Sequence, residues 1–272
     1  MTMGALHAGH RSLLEAAAGE GLWTVATVFV NPTQFGPGED FAKYPRTLDA
    51  DLDVCRDAGA ALVFTPSAEE MYPPDAGTVV RLPNITAPLE GRFRPGHFDG
   101  VATVVLKLLN VVQPDVAYFG RKDYQQAAVI RRMVRDLNVP TEVRVCETVR
   151  EPGGLAMSSR NRYLSADERA AALSISEALN ESATLLRTEG VSVDFVRAQM
   201  WALLSRSDLV AVQYASVADA DSLEELHETR ERMVVSVAAK VGETRLIDNV
   251  VVDLGGPDVP AIPEVLNREP TA

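Results

Sequence analysis

Cysteine is nearly absent from this sequence, and no uninterrupted hydrophobic segment is long. The 272 residues include two cysteines, Cys55 and Cys146, whose distance in sequence argues against a disulfide framework and for a reducing compartment. The longest apolar run, 101–112, contains Lys107 and is too short to span a bilayer. No basic-plus-apolar stretch typical of a signal peptide opens the sequence. These absences predict a cytoplasmic protein that does not associate with membranes.

Positive charge is also scarce. Lysine and arginine number 26 against 38 aspartates and glutamates, which gives a net charge of −12. This balance argues against nucleic acid or an anionic membrane as the main partner, although a local basic site can still bind an anionic small molecule. With 46% hydrophobic and 24% charged residues, the composition is typical of a globular enzyme.

A segment rich in glycine and histidine, Met3 to His10, stands directly before a run of strong helix formers. His7 and His10 are therefore expected on one face of the first helical turn, where unpaired N–H groups attract phosphate. Gly4 carries no side chain that would block a ligand, and both imidazoles can donate hydrogen bonds to one anion. On this segment alone, two solvated histidines or a chance metal pair remain alternatives.

Strands and helices alternate over the first half of the chain. Apolar, β-branched strands are expected at 22–30, 61–64, 115–119 and 141–147. Helices are expected between them, from Thr47 to about Ala58, over 101–112, and from the Lys122 region to about Leu137. This order predicts an α/β fold with a Rossmann-like parallel sheet over residues 1–148.

Polar residues follow the strands at the edge where an open α/β sheet binds ligands. Asn31 and Gln34 lie in such a loop, with a turn-forming Asn and a solvated Gln as the alternative. Gly120 and Lys122 repeat the pattern after a later strand, where Lys122 can meet a phosphate and Asp123 can pair with it or bind a ribose hydroxyl. An ordinary first helical turn is the alternative reading.

Two further clusters of ionisable residues each have a structural and a functional interpretation. Asp49, Asp51 and Asp53 could form a metal site, but acids at a helix start usually complement the helix dipole and are solvated, which we favour. Arg94 and His97 end a long proline-rich segment, 65–95, that we read as either an anion-binding excursion or a mobile surface loop.

The second half has a different pattern. The turn 151–154 marks a domain boundary, and Ser158, Ser159 and Arg160 supply hydroxyl and guanidinium groups suited to a triphosphate. Helical patterns with a break near Gly190 are followed by strands at 209–217, 232–241 and 244–253. We therefore expect a smaller C-terminal α+β domain with an antiparallel sheet over 149–254, then a disordered tail over 255–272.

Several of these segments occur in one order that resembles the pantothenate synthetase (pantoate–β-alanine ligase) family. The opening Met-Gly-Ala-Leu-His-x-Gly-His is similar to that family's form of the nucleotidyltransferase His-x-Gly-His motif. The likeness runs from Thr2 to about Leu254 and includes segments 29–35, 44–46, 94–105, 119–126 and 157–161. Each segment is weak alone, but together they are specific.

The resemblance implies a two-step reaction. Pantoate's carboxylate attacks the α-phosphorus of ATP to give pantoyl adenylate and pyrophosphate, and β-alanine then displaces AMP to form pantothenate. Mg²⁺ is implied with ATP, without a protein ligand that we can name and without a tightly bound organic cofactor. A homodimer is implied as well. The partners are thus pantoate, β-alanine and ATP, not nucleic acid or membrane.

The resemblance also implies residue roles, with His10, His7, Lys122 and Arg160 as the catalytic set. The residues implied for ATP binding are Met3, Gly4, His7, His10, Gly120, Lys122, Asp123, Val149, Met157, Ser158, Ser159 and Arg160. Those implied for pantoate or β-alanine are Gln34, Gln126, Asn31, Tyr44, Arg94 and His97.

Members of that family carry a few tens of residues before the opening motif, including the first strand of the parallel sheet. Because its neighbours would otherwise leave interior backbone groups unpaired, we expect that strand to be missing here and the native chain to start upstream of Met1. Another nucleotidyltransferase of the same fold and a non-catalytic nucleotide-binding protein remain rival interpretations. Asn31, Gln34 and Gln126 favour pantoate over the first rival, and complete motifs argue against the second.

Overall fold

The computed structural model describes residues 1–256, and these divide into two compact units. The first unit is Met1–Glu147 and the second begins at Thr148. The predicted tail falls almost wholly outside the described residues, which end at Gly256. Within the described residues, no helix is both long and apolar enough to cross a membrane.

Parallel strand pairs form the first unit. β1 (Val25–Thr27) pairs in parallel with β2 (Leu62–Phe64), and β3 (Val116–Gly120) pairs in parallel with β4 (Glu142–Cys146). The predicted strands are all present, which confirms the parallel α/β class. β1 is shorter than predicted because Leu22 and Trp23 are exposed ahead of it, and Trp23 retains 74% of its accessible surface.

Thr2 pairs alongside the chain at the end of β1 as an isolated one-residue bridge. Its N–H donates to the Thr27 carbonyl at 2.9 Å, and its own carbonyl accepts from the Phe29 N–H at 3.0 Å, in a parallel bridge opposite Val28. The chain turns immediately afterwards into α1 (Ala8–Gly19). The opening motif therefore connects the residue that pairs beside β1 to the first turn of α1.

The helices of the first unit pack around these strands. The elements are α1, α2 (Leu48–Asp57), α3 (Ala68–Met71), α4 (Pro83–Thr86), α5 (Glu90–Phe93), α6 (His97–Val112) and α7 (Tyr124–Asp136). α6 is buried on most sides, as its apolar sequence predicts, but it begins four residues earlier than the apolar run because Gly96 in the left-handed region (φ 81°) provides its start.

The segment 65–95, interpreted from sequence as an anion-binding excursion or a mobile surface loop, forms regular structure in three places. It contains the three short helices α3, α4 and α5. Ser67 and Glu70 form a reciprocal capping box around the start of α3. Helices of four residues are too short to leave a periodic apolar pattern, so the sequence gives little sign of them.

The second unit packs two helices against an antiparallel sheet. α8 (Ala166–Leu186) and α9 (Val193–Leu204) flank β5 (Val210–Asp219), β6 (Arg232–Val241) and β7 (Thr244–Asp253), in the sheet order β5-β6-β7. Ser165 and Glu168 form a reciprocal capping box at the start of α8. Apolar side chains from both layers form one buried core, which includes Ile175, Leu179, Met200, Val235 and Val252.

Candidate active site

His7 and His10 hold the start of α1 through reciprocal hydrogen bonds. The Gly9 N–H donates to His7 Nδ1 at 3.2 Å, and the His7 N–H donates to His10 Nδ1 at 3.3 Å. The two rings lie 4.0 Å apart, centroid to centroid. Because each Nδ1 accepts a backbone proton, the proton of each neutral imidazole lies on Nε2. The motif therefore presents two Nε2–H donors from a fixed helix start.

His10 is neutral at physiological pH. Burial, and after it the repulsion that the two rings would have if both were protonated, lowers the pKa of His10 from 6.5 to about 3. Lys122 also lowers this pKa and Asp123 raises it, which places both residues within electrostatic reach of the ring. His10 is thus a hydrogen-bond donor and not a cation before a ligand binds.

The turn after β3 brings Lys122 toward the opening motif. Gly120 ends the strand opposite Cys146, and a short 3-10 helix over Arg121–Asp123 leads into α7. Lys122 Nζ lies 3.3 Å from Asp123 Oδ1, which is the ion pair considered from sequence. Arg121 is turned to Glu147 at 2.5 Å instead. Of the two cations in this turn, Lys122 is the one whose charge lowers the pKa of His10.

Asn31 and Gln34 form a buried amide pair in the loop after β1. Asn31 is 1% exposed, and its Nδ2 donates to Gln34 Oε1 at 3.1 Å and to the Gly100 carbonyl at 3.2 Å. Gln34 Nε2 in turn lies 3.0 Å from Met3 Sδ. Since Gln34 Oε1 already accepts from Asn31, its amino group faces the opening motif. This contact brings together two segments that the sequence predicts to bind different substrates.

Gly100 is required where α6 meets this loop. A Cβ at that position would lie 2.4 Å from the Thr33 carbonyl oxygen and 2.7 Å from the Gln34 nitrogen. Both are backbone atoms, so a side chain there cannot be accommodated by a rotamer change. The amide pair is consequently fixed by close packing of backbone on backbone.

Arg94 and His97 contact the loop that carries Asn31 and Gln34. Arg94 donates to the Glu39 carboxylate from Nε at 2.8 Å and from Nη2 at 2.6 Å, and its Nη1 lies 3.1 Å from His97 Nε2. His97 Nδ1 then donates to the Gln34 carbonyl at 2.8 Å. Burial and the nearby Arg94 lower the pKa of His97 from 6.5 to about 4. Because the Glu39 carboxylate pairs with Arg94, it compensates the positive charge of the guanidinium group.

The remaining predicted substrate residues lie in different surroundings. Tyr44 is buried and packs edge-on against Phe35, with ring centroids 5.8 Å apart. Gln125, not singled out from sequence, is buried and bonds to the Ile85 and Pro88 carbonyls and the Glu90 N–H. Gln126 follows it on α7 and is partly exposed, with no side-chain hydrogen bond to residues 1–256.

The predicted ATP residues of the second unit share one local structure. The Met157 N–H donates to the Val149 carbonyl at 2.9 Å across a short hairpin whose turn includes Gly153 and Gly154. Ser158 caps the 3-10 helix Ser159–Tyr163 by accepting from the Arg160 N–H at 3.3 Å. The sequence therefore folds this segment into a compact loop that carries both serines and Arg160.

Three residues near the first-unit site were missed or given another role from sequence. Tyr72 donates to Asn31 Oδ1 at 2.8 Å, and Glu39 neutralises Arg94. Asp51, interpreted as solvated, is 2% exposed and accepts from the Ala5 and Leu6 N–H groups. Each acts across a long stretch of sequence, so no local pattern identifies it.

A cavity of about 290 Å³ lies between β1 and β3, with Thr2, His10, Ala26 and Ala117 among the residues that line it. Asn31, Gln34 and Lys122 do not line it. We therefore do not assign this cavity to the substrates.

The chain is similar to known proteins over most of its length. A sequence model described as Pantoate-beta-alanine ligase matches residues 1–251. The chain is similar to Pantothenate synthetase of Herpetosiphon aurantiacus, with 51% identity over 251 residues that cover 92% of this chain and 91% of that protein. It is similar to the crystal structure of pantothenate synthetase from Thermus thermophilus, with a TM-score of 0.88 and 44% identity, covering 96% of this chain and 92% of that one. A pantoate-beta-alanine ligase from Francisella tularensis, solved with beta-gamma ATP and beta-alanine, gives a TM-score of 0.72 and 34% identity, covering 91% of this chain and 86% of that one.

Proposed function

The chain belongs to the pantoate-beta-alanine ligase family, and from that premise we propose how its residues carry out the reaction. The enzyme joins pantoate to β-alanine with ATP, through pantoyl adenylate, and releases pyrophosphate and AMP. A carboxylate is a poor acyl donor until one oxygen becomes a good leaving group. Transfer to AMP supplies that leaving group, and the amine of β-alanine then forms the amide bond.

His7 and His10 bind the ATP phosphates in the first step. The support is their shared presentation of Nε2–H groups at the start of α1, where the helix dipole also favours an anion. Attack at the α-phosphorus needs donors aimed at the developing phosphate charge more than covalent help from the protein. A bound polyphosphate raises the pKa of an adjacent imidazole, which would let His10 act as a proton donor.

Lys122 supplies the positive charge that neutral His10 does not. We assign its ammonium group to the same phosphates, supported by the effect of its charge on His10, and we assign the backbone of Met3 and Gly4 to a place beside them. Gly120 and Asp123 contact the adenosine. For the second unit, the family resemblance alone assigns Val149 and Met157 to Arg160 to ATP, with Arg160 as the catalytic guanidinium. These roles rest on local geometry and family resemblance.

Asn31, Gln34 and Gln126 bind pantoate, while Tyr44, Arg94 and His97 shape the pocket around it. The single observation that carries the first-unit site is the Gln34 Nε2 to Met3 Sδ contact of 3.0 Å, because it sets an amide donor beside the phosphate-binding segment. We infer that this arrangement holds the carboxylate of pantoate next to ATP. Positioning two reactants in this way can contribute about 7–11 kcal/mol to lowering the barrier.

Mg²⁺ is proposed to accompany ATP. Among residues 1–256, no group of three or more His, Cys, Asp and Glu side chains could hold a metal ion, so the described residues do not form a protein cage for it. Mg²⁺ in nucleotide sites is often held largely by phosphates and water. No step is assigned to it here.

The assembly and location stay proposals as well. We propose a homodimer on the family resemblance, and a cytoplasmic location on the two free thiols among the described residues. Size-exclusion chromatography with light scattering tests the dimer.

The reaction is tested by supplying ATP, pantoate and β-alanine and measuring product mass and AMP. Pantothenate and AMP are expected in equal amounts, and only when all three substrates are present. Pyrophosphate release with a stable adenylate, and no amide in the presence of β-alanine, would support a nucleotidyltransferase instead. ATP binding without any product would support a non-catalytic protein.

A further inference from the structure

Asp51 differs from the two acids beside it on α2. Asp49 and Asp53 are exposed, whereas Asp51 is 2% exposed. All three were interpreted from sequence as one solvated cluster. A buried carboxylate needs hydrogen-bond partners, and those of Asp51 lie far away in sequence.

The Asp51 carboxylate holds the loop that precedes His7. Its Oδ2 accepts from the Ala5 N–H at 3.1 Å, and its Oδ1 accepts from the Leu6 N–H at 2.7 Å. The Thr47 hydroxyl donates to the same carboxylate at 3.4 Å and makes no capping bond to the helix. Both carboxylate oxygens are thus engaged with consecutive N–H groups of the opening motif.

The loop takes a backbone conformation that fits this carboxylate. Gly4 has φ 82°, and a Cβ there would lie 2.9 Å from Asp51 Oδ2. Ala5 also lies in the left-handed region, at φ 51°, which is unfavourable for a residue with a side chain. Such a conformation persists when surrounding contacts impose it, and the Asp51 carboxylate supplies two of those contacts.

We propose that Asp51 is a positioning residue for phosphate binding. Through the Ala5 and Leu6 N–H groups it sets the path of the loop, and thereby the place where His7 begins α1 and pairs with His10. This inference rests on the proposed role of the two histidines at the ATP phosphates. Asp51 itself is not assigned any contact with substrate.

The Asp51→Asn variant tests this, with Asp49→Asn as the matched control on the same helix. The amide keeps the size of the carboxylate but turns an NH₂ group toward one of the two N–H donors. We expect kcat/KM for ATP to fall between about tenfold and a hundredfold, as for a reactive group displaced by a fraction of an ångström, while KM for pantoate stays within about twofold. Asp49→Asn should leave every kinetic constant unchanged.

Gly4→Ala tests the same contact from the loop side. Because both changes disturb one carboxylate–loop contact, their effects on kcat/KM for ATP should be far from additive in the double variant. Additive effects would overturn the proposal. So would Asp51→Asn kinetics equal to those of Asp49→Asn, equal losses for ATP and pantoate, or loss of a cooperative thermal transition in Asp51→Asn. A wild-type protein without ligase activity would refute the proposed function instead, and is recognised before any variant is compared.

Discussion

Replacing Gly100 with alanine should damage both stability and pantoate binding. The new Cβ would lie 2.4 Å from the Thr33 carbonyl oxygen, where ordinary contacts begin near 3.4 Å, so α6 and the loop must separate by about 1 Å. Overpacking of this kind costs about 1–3 kcal/mol. The same movement stretches the 3.2 Å bond from Asn31 Nδ2 to the Gly100 carbonyl, a buried bond worth about 1 kcal/mol.

Urea unfolding and steady-state kinetics measure the two consequences. We expect Gly100→Ala to lower the free energy of unfolding by about 2–4 kcal/mol. KM for pantoate should rise about tenfold or more, because Asn31 orients Gln34. Gly19→Ala is the matched control, since Gly19 lies in α1 with open space around its Cβ position, and it should be neutral or slightly stabilising. A Gly100→Ala protein as stable and as active as Gly19→Ala would refute the reasoning.

Three other outcomes are expected. Gln34→Ala should raise KM for pantoate while leaving KM for ATP nearly unchanged, and an unaltered pantoate KM would remove Gln34 from that site. Arg150→Met leaves the buried Asp248 carboxylate, now bonded at 2.6 and 3.0 Å, without its cation, and should destabilise the second unit by about 3–5 kcal/mol in urea unfolding. The Arg150→Met/Asp248→Leu double variant should recover most of this loss. Finally, His10 and His97 have folded pKa values of about 3 and about 4 against 6.5 when unfolded. Below about pH 6.5 the unfolded chain therefore binds more protons than the folded chain. As the pH is lowered, the free energy of unfolding falls by at most about 1.4 kcal/mol per pH unit for each histidine. His97→Asn should flatten this fall between about pH 7 and pH 5, and an unchanged slope would contradict it.

The second unit was the part of the fold best predicted from sequence. The bounds of β6 and β7 agree with the prediction, because a two-residue turn, Gly242-Glu243, separates two runs of strand-forming residues. The start of α8 follows from Ser165 and Glu168, which cap it reciprocally. These signals are local, so one sequence contains them in full.

Long-range contacts account for what could not be predicted. Asp51 and its neighbours look alike in sequence, and only the docking of residues 5 and 6 on α2 separates them. Tyr72 reaches Asn31 across 41 positions. Arg94 was considered for an anion site, with a mobile surface loop as the alternative, and its charge is paired with Glu39. The proposed residue roles stay predictions that mutation must test.

The exchange of labelled pyrophosphate into ATP, measured with pantoate and without β-alanine, tests the opening motif most directly. The wild-type protein should catalyse this exchange only when pantoate is present. His10→Ala should slow it by at least about a hundredfold while its thermal unfolding remains cooperative. An exchange rate unchanged by that substitution would contradict the assignment of the opening histidines to the adenylation step.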